Sequence, residues 1–302
     1  MARRSDASLV ALLLVARAVE SSVPPLKASE FWALVDKTAD LGSLFGAPDG
    51  TVNGRIAALL DRANALAFEL ERLESAGIVT LSPFDDGYPS RWRQRLGRAA
   101  PPMLHAAGPV SLLERGGLAV VGSRDVHGAA REAAAAAADA AARAGRVVIS
   151  GGARGSDLVA MQAALAAGGE VVGVLADALL KTANDREVRR AIGDERLCLV
   201  TPYAPTAPFS VGNAMGRNKL IYALADVTFV VASDDGKGGT WAGATEALKK
   251  GYGTVAAWVG ADCGPGNPKL VELGAQPVAE IGSSLLAETE DTASSRQLRL
   301  GL

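Results

Sequence analysis

The stretches Val120-Val121-Gly122-Ser123-Arg124 and Ile149-Ser150-Gly151-Gly152-Ala153-Arg154-Gly155-Ser156-Asp157 decide the fold. Each closes a short apolar run and opens a segment that reads as helix. About one βαβ length separates them, so two parallel strands would bring both glycine turns to one edge of a sheet. Helix N-termini at that edge present free N–H groups and the positive end of the dipole. Glycines let a ligand approach the backbone, and an arginine grips phosphate with a planar fork of donors. The pair points to phosphate binding, of a nucleotide or of a nucleic-acid strand.

Outward from these turns the chain alternates. Apolar runs at 118–121, 147–150, 171–175, 197–201, 227–231 and 254–259 read as strands. Alanine-rich segments at 129–144, 157–167, 187–192, 218–223 and 242–250 read as helices between them. This alternation predicts an α/β fold: a Rossmann-like, doubly wound, mainly parallel sheet with helices on both faces. Ile78-Val79-Thr80-Leu81 is strand-like, and Pro101-Pro102-Met103-Leu104 is an extended lead-in.

A small helical domain precedes the sheet. Leu9, Leu12, Leu13 and Ala16 recur at helix spacing, Pro24-Pro25 ends that segment, and Ser29-Glu30-Phe31-Trp32 restarts one. A loop-rich stretch over 42–54 leads to a longer helix over 56–75, with Gly77 as its C-terminal cap. The expected organisation is a helical module over 1–77, a Rossmann-like domain over 78–285 and a polar tail over 286–302. Leu9 to Val15 is too short to span a bilayer and reads as a buried amphipathic helix, so no membrane association is expected.

Composition narrows the function. The net charge of −2 gives no global basic signature, so nucleic acid must be met by a local cluster of cations. Cys198 and Cys263 form no CxxC pattern and read as buried thiols in a reducing compartment. His105 and His127 are isolated, so neither a zinc site nor a Ser/His/Asp or Cys/His catalytic set is expected. The first glycine turn is not GxGxxG, and no P-loop spacing occurs, which argues against a dinucleotide dehydrogenase and a P-loop ATPase.

Two further clusters fall at successive strand ends. Gly216-Arg217-Asn218-Lys219 reads as the lead into a helix, where its cations either line the same groove or form a solvated helix start. Lys237-Gly238-Gly239-Thr240 lies at a strand-to-helix junction and suits a phosphate cradle. Trp241 stacks on a base or belongs to the core. Asp157 suits a cap on the helix that follows it, with a further role in orienting Arg154 left open. Glu246 is the one acid placed for chemistry on a glycosidic bond, with a solvent-facing helix surface as its plain alternative. The expected DNA- or phosphate-binding set is Gly122, Ser123, Arg124, Ser150, Gly151, Gly152, Arg154, Gly155, Arg217, Asn218, Lys219, Lys237, Gly238, Gly239 and Thr240. No catalytic residue, metal or cofactor is expected.

The order of these motifs resembles the DNA-processing protein A family, also called DprA or Smf. The resemblance runs from about Leu73 to Glu280. It rests on Asp86-Gly87-Tyr88-Pro89, Pro101-Pro102-Met103-Leu104, the two glycine turns, Arg217-Asn218-Lys219-Leu220-Ile221 and Gly238-Gly239-Thr240. It implies a cytoplasmic, homodimeric protein that binds single-stranded DNA, protects it and helps load the RecA recombinase during uptake of foreign DNA in natural transformation. It also implies DNA contacts at Arg124, Arg154, Arg217 and Lys219. Members are not established as enzymes, so a binding role is favoured over an enzymatic one.

The chain departs from the family pattern at Ser156, where an apolar residue is common, and at Met161, where a histidine is common. Lys219 replaces an arginine, and Gly238-Gly239-Thr240-Trp241 replaces a Ser-Gly-Ser/Ala-Leu segment. No C-terminal winged-helix module is expected. These changes leave a second reading, a nucleotide-binding sensor or nucleotide-cleaving enzyme of the same superfamily. The wide spacing of Thr240 and Glu246 counts against catalysis. An open basic groove would favour DNA, and a closed pocket over Gly239 would favour a nucleotide.

Overall fold

The computed structural model describes residues 4–45, 53–282 and Leu285. The expected polar tail over 286–302 lies outside the described residues, as does 46–52 of the loop-rich stretch. The helical part comprises α1 (Asp6–Val15), α2 (Ala28–Val35), α3 (Gly54–Leu60) and α4 (Ala63–Ser75). Then follow β1 (Val79–Leu81), α5 (Ser90–Leu96), β2 (Leu104–Ala107), β3 (Leu118–Val121), α6 (Gly128–Arg143), β4 (Val148–Ser150) and α7 (Ser156–Ala166). Next are β5 (Val171–Val174), α8 (Leu179–Ala183), α9 (Arg186–Gly193), β6 (Leu197–Thr201) and α10 (Val211–Leu224). The chain continues with β7 (Val227–Val230), α11 (Gly238–Lys250), β8 (Thr254–Trp258), α12 (Asn267–Glu272) and β9 (Gln276–Val278).

The strands form one nine-stranded sheet in the order β1-β2-β6-β5-β4-β3-β7-β8-β9. The β1–β2 and β2–β6 pairs are antiparallel, and every other pair is parallel. β3 through β6 are buried along their whole length, which is why they read as unbroken apolar runs rather than as alternation. The chain winds outward from β3 to β6, then returns to place β7 on the other side of β3. The reversal between β3 and β7 is the topological switch point, where the loops of an open α/β sheet part to leave a crevice.

Both faces of the sheet are covered. Ala130, Ala134, Ala137 and Ala141 of α6 and Ala160 and Ala164 of α7 pack on one face against Val120, Val148 and Phe229. Their small side chains let the two helices lie close to the strands and to each other. Leu220, Ile221 and Leu224 of α10 and Ala244 and Ala247 of α11 pack on the other face. Val10, Leu14, Phe31 and Trp32 of α1 and α2 belong to that same cluster, so the helical part and the sheet share core. Trp92 is fully buried there and donates its ring N–H to Leu220 O at 2.9 Å.

Some expectations change. α1 is buried all round rather than amphipathic, because Val10, Ala11 and Leu14 enter one cluster while Leu12 and Leu13 enter another. The single helix over 56–75 is two, broken at Asp61 and Arg62. Arg62 turns inward and donates to Leu59 O and to the carbonyls of Leu13, Ala16 and Val19 at the end of α1. Those carbonyls have no helical partner, so the guanidinium supplies the donors. Gly77 does close α4, with Ile78 N–H donating to Leu73 O at 2.9 Å and Gly77 N–H to Glu74 O at 2.9 Å. Cys198 is buried as expected, whereas Cys263 is only half-buried.

Candidate nucleic-acid site at the switch point

The β3 loop and the β4 loop interlock. Ser156 N–H and its hydroxyl both donate to Ser123 O at 3.2 Å. Gly155 precedes α7 at φ 86°, and a Cβ there would lie 2.4 Å from Arg124 O and 2.5 Å from Ser123 O. A side chain at this position is excluded both by the left-handed backbone and by the neighbouring loop.

Beneath the β4 turn lies a buried ion pair. Arg217 is 5% exposed, donates Nη1–H to Val174 O at 2.9 Å and stands 3.8 Å from Asp157. A Cβ on Gly151 would sit 1.5 Å from Arg217 Nη1, so the glycine makes room for the guanidinium. Gly151 N–H donates to Asp157 Oδ2 at 3.1 Å. Burial pushes the Asp157 carboxyl up to about 6, against the pull of Arg217 and of the Ala153 and Gly151 N–H groups. Burial lowers the pKa of Arg217, against the pull of Asp157.

A carboxyl whose folded pKa lies above its ordinary 3.8 holds its proton more tightly when folded. Its contribution to stability is full below that value and is lost as pH rises through about 6. Urea unfolding is expected to show a decline of about 1–3 kcal/mol from this group as pH rises from 3.8 to about 6. Asp157→Asn should remove that decline. An unchanged slope in the variant would mean that other groups set it.

Above this pair opens a cleft of about 410 Å³ between the β3 and β7 loops. Gly122, Ser123 and Arg124 line one side, and Lys237, Gly238, Gly239 and Thr240 the other. Lys237 and Gly238 are exposed, and no side chain caps α11, so the first N–H groups of that helix face solvent at the rim. Asn218 lies against Gly239, where a Cβ would meet its Nδ2 at 2.7 Å. Arg124 is exposed, with its guanidinium 5.3 Å from the centre of the Phe209 ring.

The structure gathers only part of the expected set. Gly122, Ser123, Arg124, Arg217, Asn218, Lys237, Gly238, Gly239 and Thr240 line the cleft. Ser150 does not; it is buried and donates to Val120 O at 2.6 Å. Gly152 and Arg154 are exposed just outside it. The Arg217 to Lys219 run is mid-helix in α10, not a lead-in, because Ser210 caps that helix by accepting from Asn213 N–H at 3.0 Å. Lys219 is therefore about 200° around the helix from Arg217 and does not line the cleft. Trp241 packs against the core rather than into the cleft. Glu246 is two turns along α11 and accepts from Tyr252 at 3.0 Å, away from the rim. Asp157 faces Arg217, not Arg154, and the residue that caps α7 is Gly155.

Sequence reasoning missed the apolar wall. Phe209, Val211 and Met215 line the cleft at 52%, 71% and 44% exposure. Their signal was present in Pro208-Phe209-Ser210-Val211, an aromatic beside a proline and a helix cap in a chain with few aromatics. Among the described residues no cluster of His, Cys, Asp and Glu has the composition of a metal site. Among them, too, no helix is long and apolar enough to cross a membrane.

A doubly wound sheet with a helix-fronted cleft at its switch point defines a Rossmann-like α/β protein. The chain belongs to the DNA recombination-mediator protein A family, whose model matches residues 79–288, and so to a family of DNA-processing proteins. The fold is that of DNA processing protein A from Streptococcus pneumoniae, at 22% identity and TM-score 0.60 over 85% of this chain and 84% of that one. DNA processing protein A from Helicobacter pylori, solved for its single-stranded DNA binding mode, matches at 22% identity and TM-score 0.57. That match covers 72% of this chain and 96% of the other. No curated protein matches the sequence.

Proposed function

We propose that this protein binds single-stranded DNA at the switch-point cleft, protects it and passes it to a RecA-type recombinase, acting in the cytoplasm as a homodimer. The observation that carries this reading is the pairing of Arg124 with the exposed Phe209 ring, opposite Lys237 and the uncapped start of α11. Cations and N–H groups meet phosphates, and Phe209 with Met215 offers an apolar face to bases. Such a surface tolerates many sequences, because every base has a π-face.

Fluorescence anisotropy with labelled oligothymidine tests this at low and moderate salt. Wild-type protein should bind in a salt-sensitive way. Arg124→Ala/Arg154→Ala should weaken binding by roughly tenfold or more and reduce the salt slope by about 1.4, since each phosphate left unneutralised removes about 0.7. Absence of wild-type binding at low salt would refute the DNA reading.

One observation favours a mononucleotide as a second reading. The cleft volume of about 410 Å³ lies within the range of small-molecule sites. Saturable binding of a nucleoside monophosphate, with none of oligothymidine, would select it.

A further inference from the structure

Three arginines of α9 stand together without partners. Arg186, Arg189 and Arg190 fall at i, i+3 and i+4, hence on one face of the helix. All three are exposed, and among the described residues no ion pair or hydrogen bond engages their guanidinium groups. The opposite face, with Val188, Ala191 and Ile192, is the one that packs against the core. Of the acids near the stripe, Asp185 is engaged in capping α9 by accepting from Glu187 N–H and Val188 N–H. Three guanidinium groups thus share one exposed face of α9, flanked by the exposed acids Glu187 and Asp194.

The sheet order connects this stripe to the cleft. β3, β4 and β5 are neighbours, about 4.8 Å apart in the ladder, and all three run in the same direction. Their C-terminal ends lead to Arg124, to Arg154, and to Lys181 and Arg186 in turn. Arg154 and Lys181 are likewise exposed and without partners among the described residues. Leu158, 42% exposed on the first turn of α7, adds an apolar surface beside Arg154. α8 is tied to the segment leading to Phe209 by Ala178 N–H donating to Ala207 O and Leu180 N–H to Pro205 O, both at 2.9 Å. Arg124, Arg154 and Lys181 therefore follow one another past the C-terminal ends of β3, β4 and β5, and α9 begins at Arg186 beyond Lys181 and runs back toward the start of β6.

We propose that the α9 arginine face is the outer part of the single-stranded DNA path: the strand leaves the cleft over Arg154 and lays its phosphates on Arg186, Arg189 and Arg190. This rests on the reading of the cleft as a DNA site. Phosphate neutralisation needs no base contact, so the outer path is independent of sequence and steepens the salt dependence.

The test compares two labelled oligothymidines, one of about five nucleotides and one of about fifteen, with the full-length protein. The variant is Arg186→Ala/Arg189→Ala/Arg190→Ala, all on a solvent face and so compatible with folding. The longer strand should bind about tenfold more weakly to the variant at low salt, with a salt slope smaller by about 2. The shorter strand should bind both proteins alike. Equal binding of the longer strand by both proteins, or equal weakening of both strands, would overturn the outer path while leaving the cleft reading intact. Failure of the wild type to bind either strand would instead refute the cleft reading, and the outer path with it.

Discussion

Arg217→Met is expected to cost about 3–5 kcal/mol of stability, the usual penalty for removing one partner of a buried ion pair. Methionine nearly matches the length of the side chain but brings no charge and no donor. Val174 O then loses its side-chain donor, and Asp157 remains 6% exposed without its cation. The Gly151 and Ala153 N–H groups do not by themselves compensate a buried carboxylate. Urea unfolding measures the loss. The double variant Arg217→Met/Asp157→Asn should recover a substantial part of it, since the uncompensated charge is gone, and the cycle gives the coupling between the two groups. Wild-type stability for Arg217→Met, combined with an absence of oligonucleotide binding, would instead make Arg217 a direct DNA contact, as the family resemblance implies.

Gly155→Ala should cost roughly 2–6 kcal/mol, combining left-handed backbone strain with overpacking. The atoms a Cβ would meet at 2.4 and 2.5 Å are the carbonyl oxygens of Arg124 and Ser123, which belong to the backbone and have no rotamer to escape into. Relief requires the β3 loop to move away from α7, breaking the two Ser156 bonds to Ser123 O. That movement carries Arg124 off the Phe209 ring, so DNA affinity should fall together with the unfolding midpoint. A variant with an unchanged midpoint and unchanged affinity would show that the two loops are not locked together.

Positions that look alike in the chain differ in the fold. Arg124, Arg154 and Arg217 all lie in glycine-containing motifs with the same expected role. Arg124 and Arg154 are exposed at strand ends, Arg124 lining the cleft and Arg154 outside it. Arg217 differs because its motif sits inside a helix whose inner face meets the ends of β4 and β5. Lys219 differs for the same reason, since two residues along a helix reverse direction.

Local pattern determined the parallel strands, the helices between them and the glycine turns that mark the switch point. Apolar run length, alanine-rich helices and strand-to-helix glycines are properties of neighbouring residues, so they are legible along the chain. The short β9, with exposed Gln276 and Pro277, carries no such pattern and emerges only through its pairing with β8. The tertiary structure alone decided which cations stay exposed and which are buried in pairs. Arg217 is spent on Val174, 43 residues away, and Asp157, while Phe209 meets Arg124 across the cleft. Burial and pairing of a side chain depend on what other elements bring against it, and no local period encodes that.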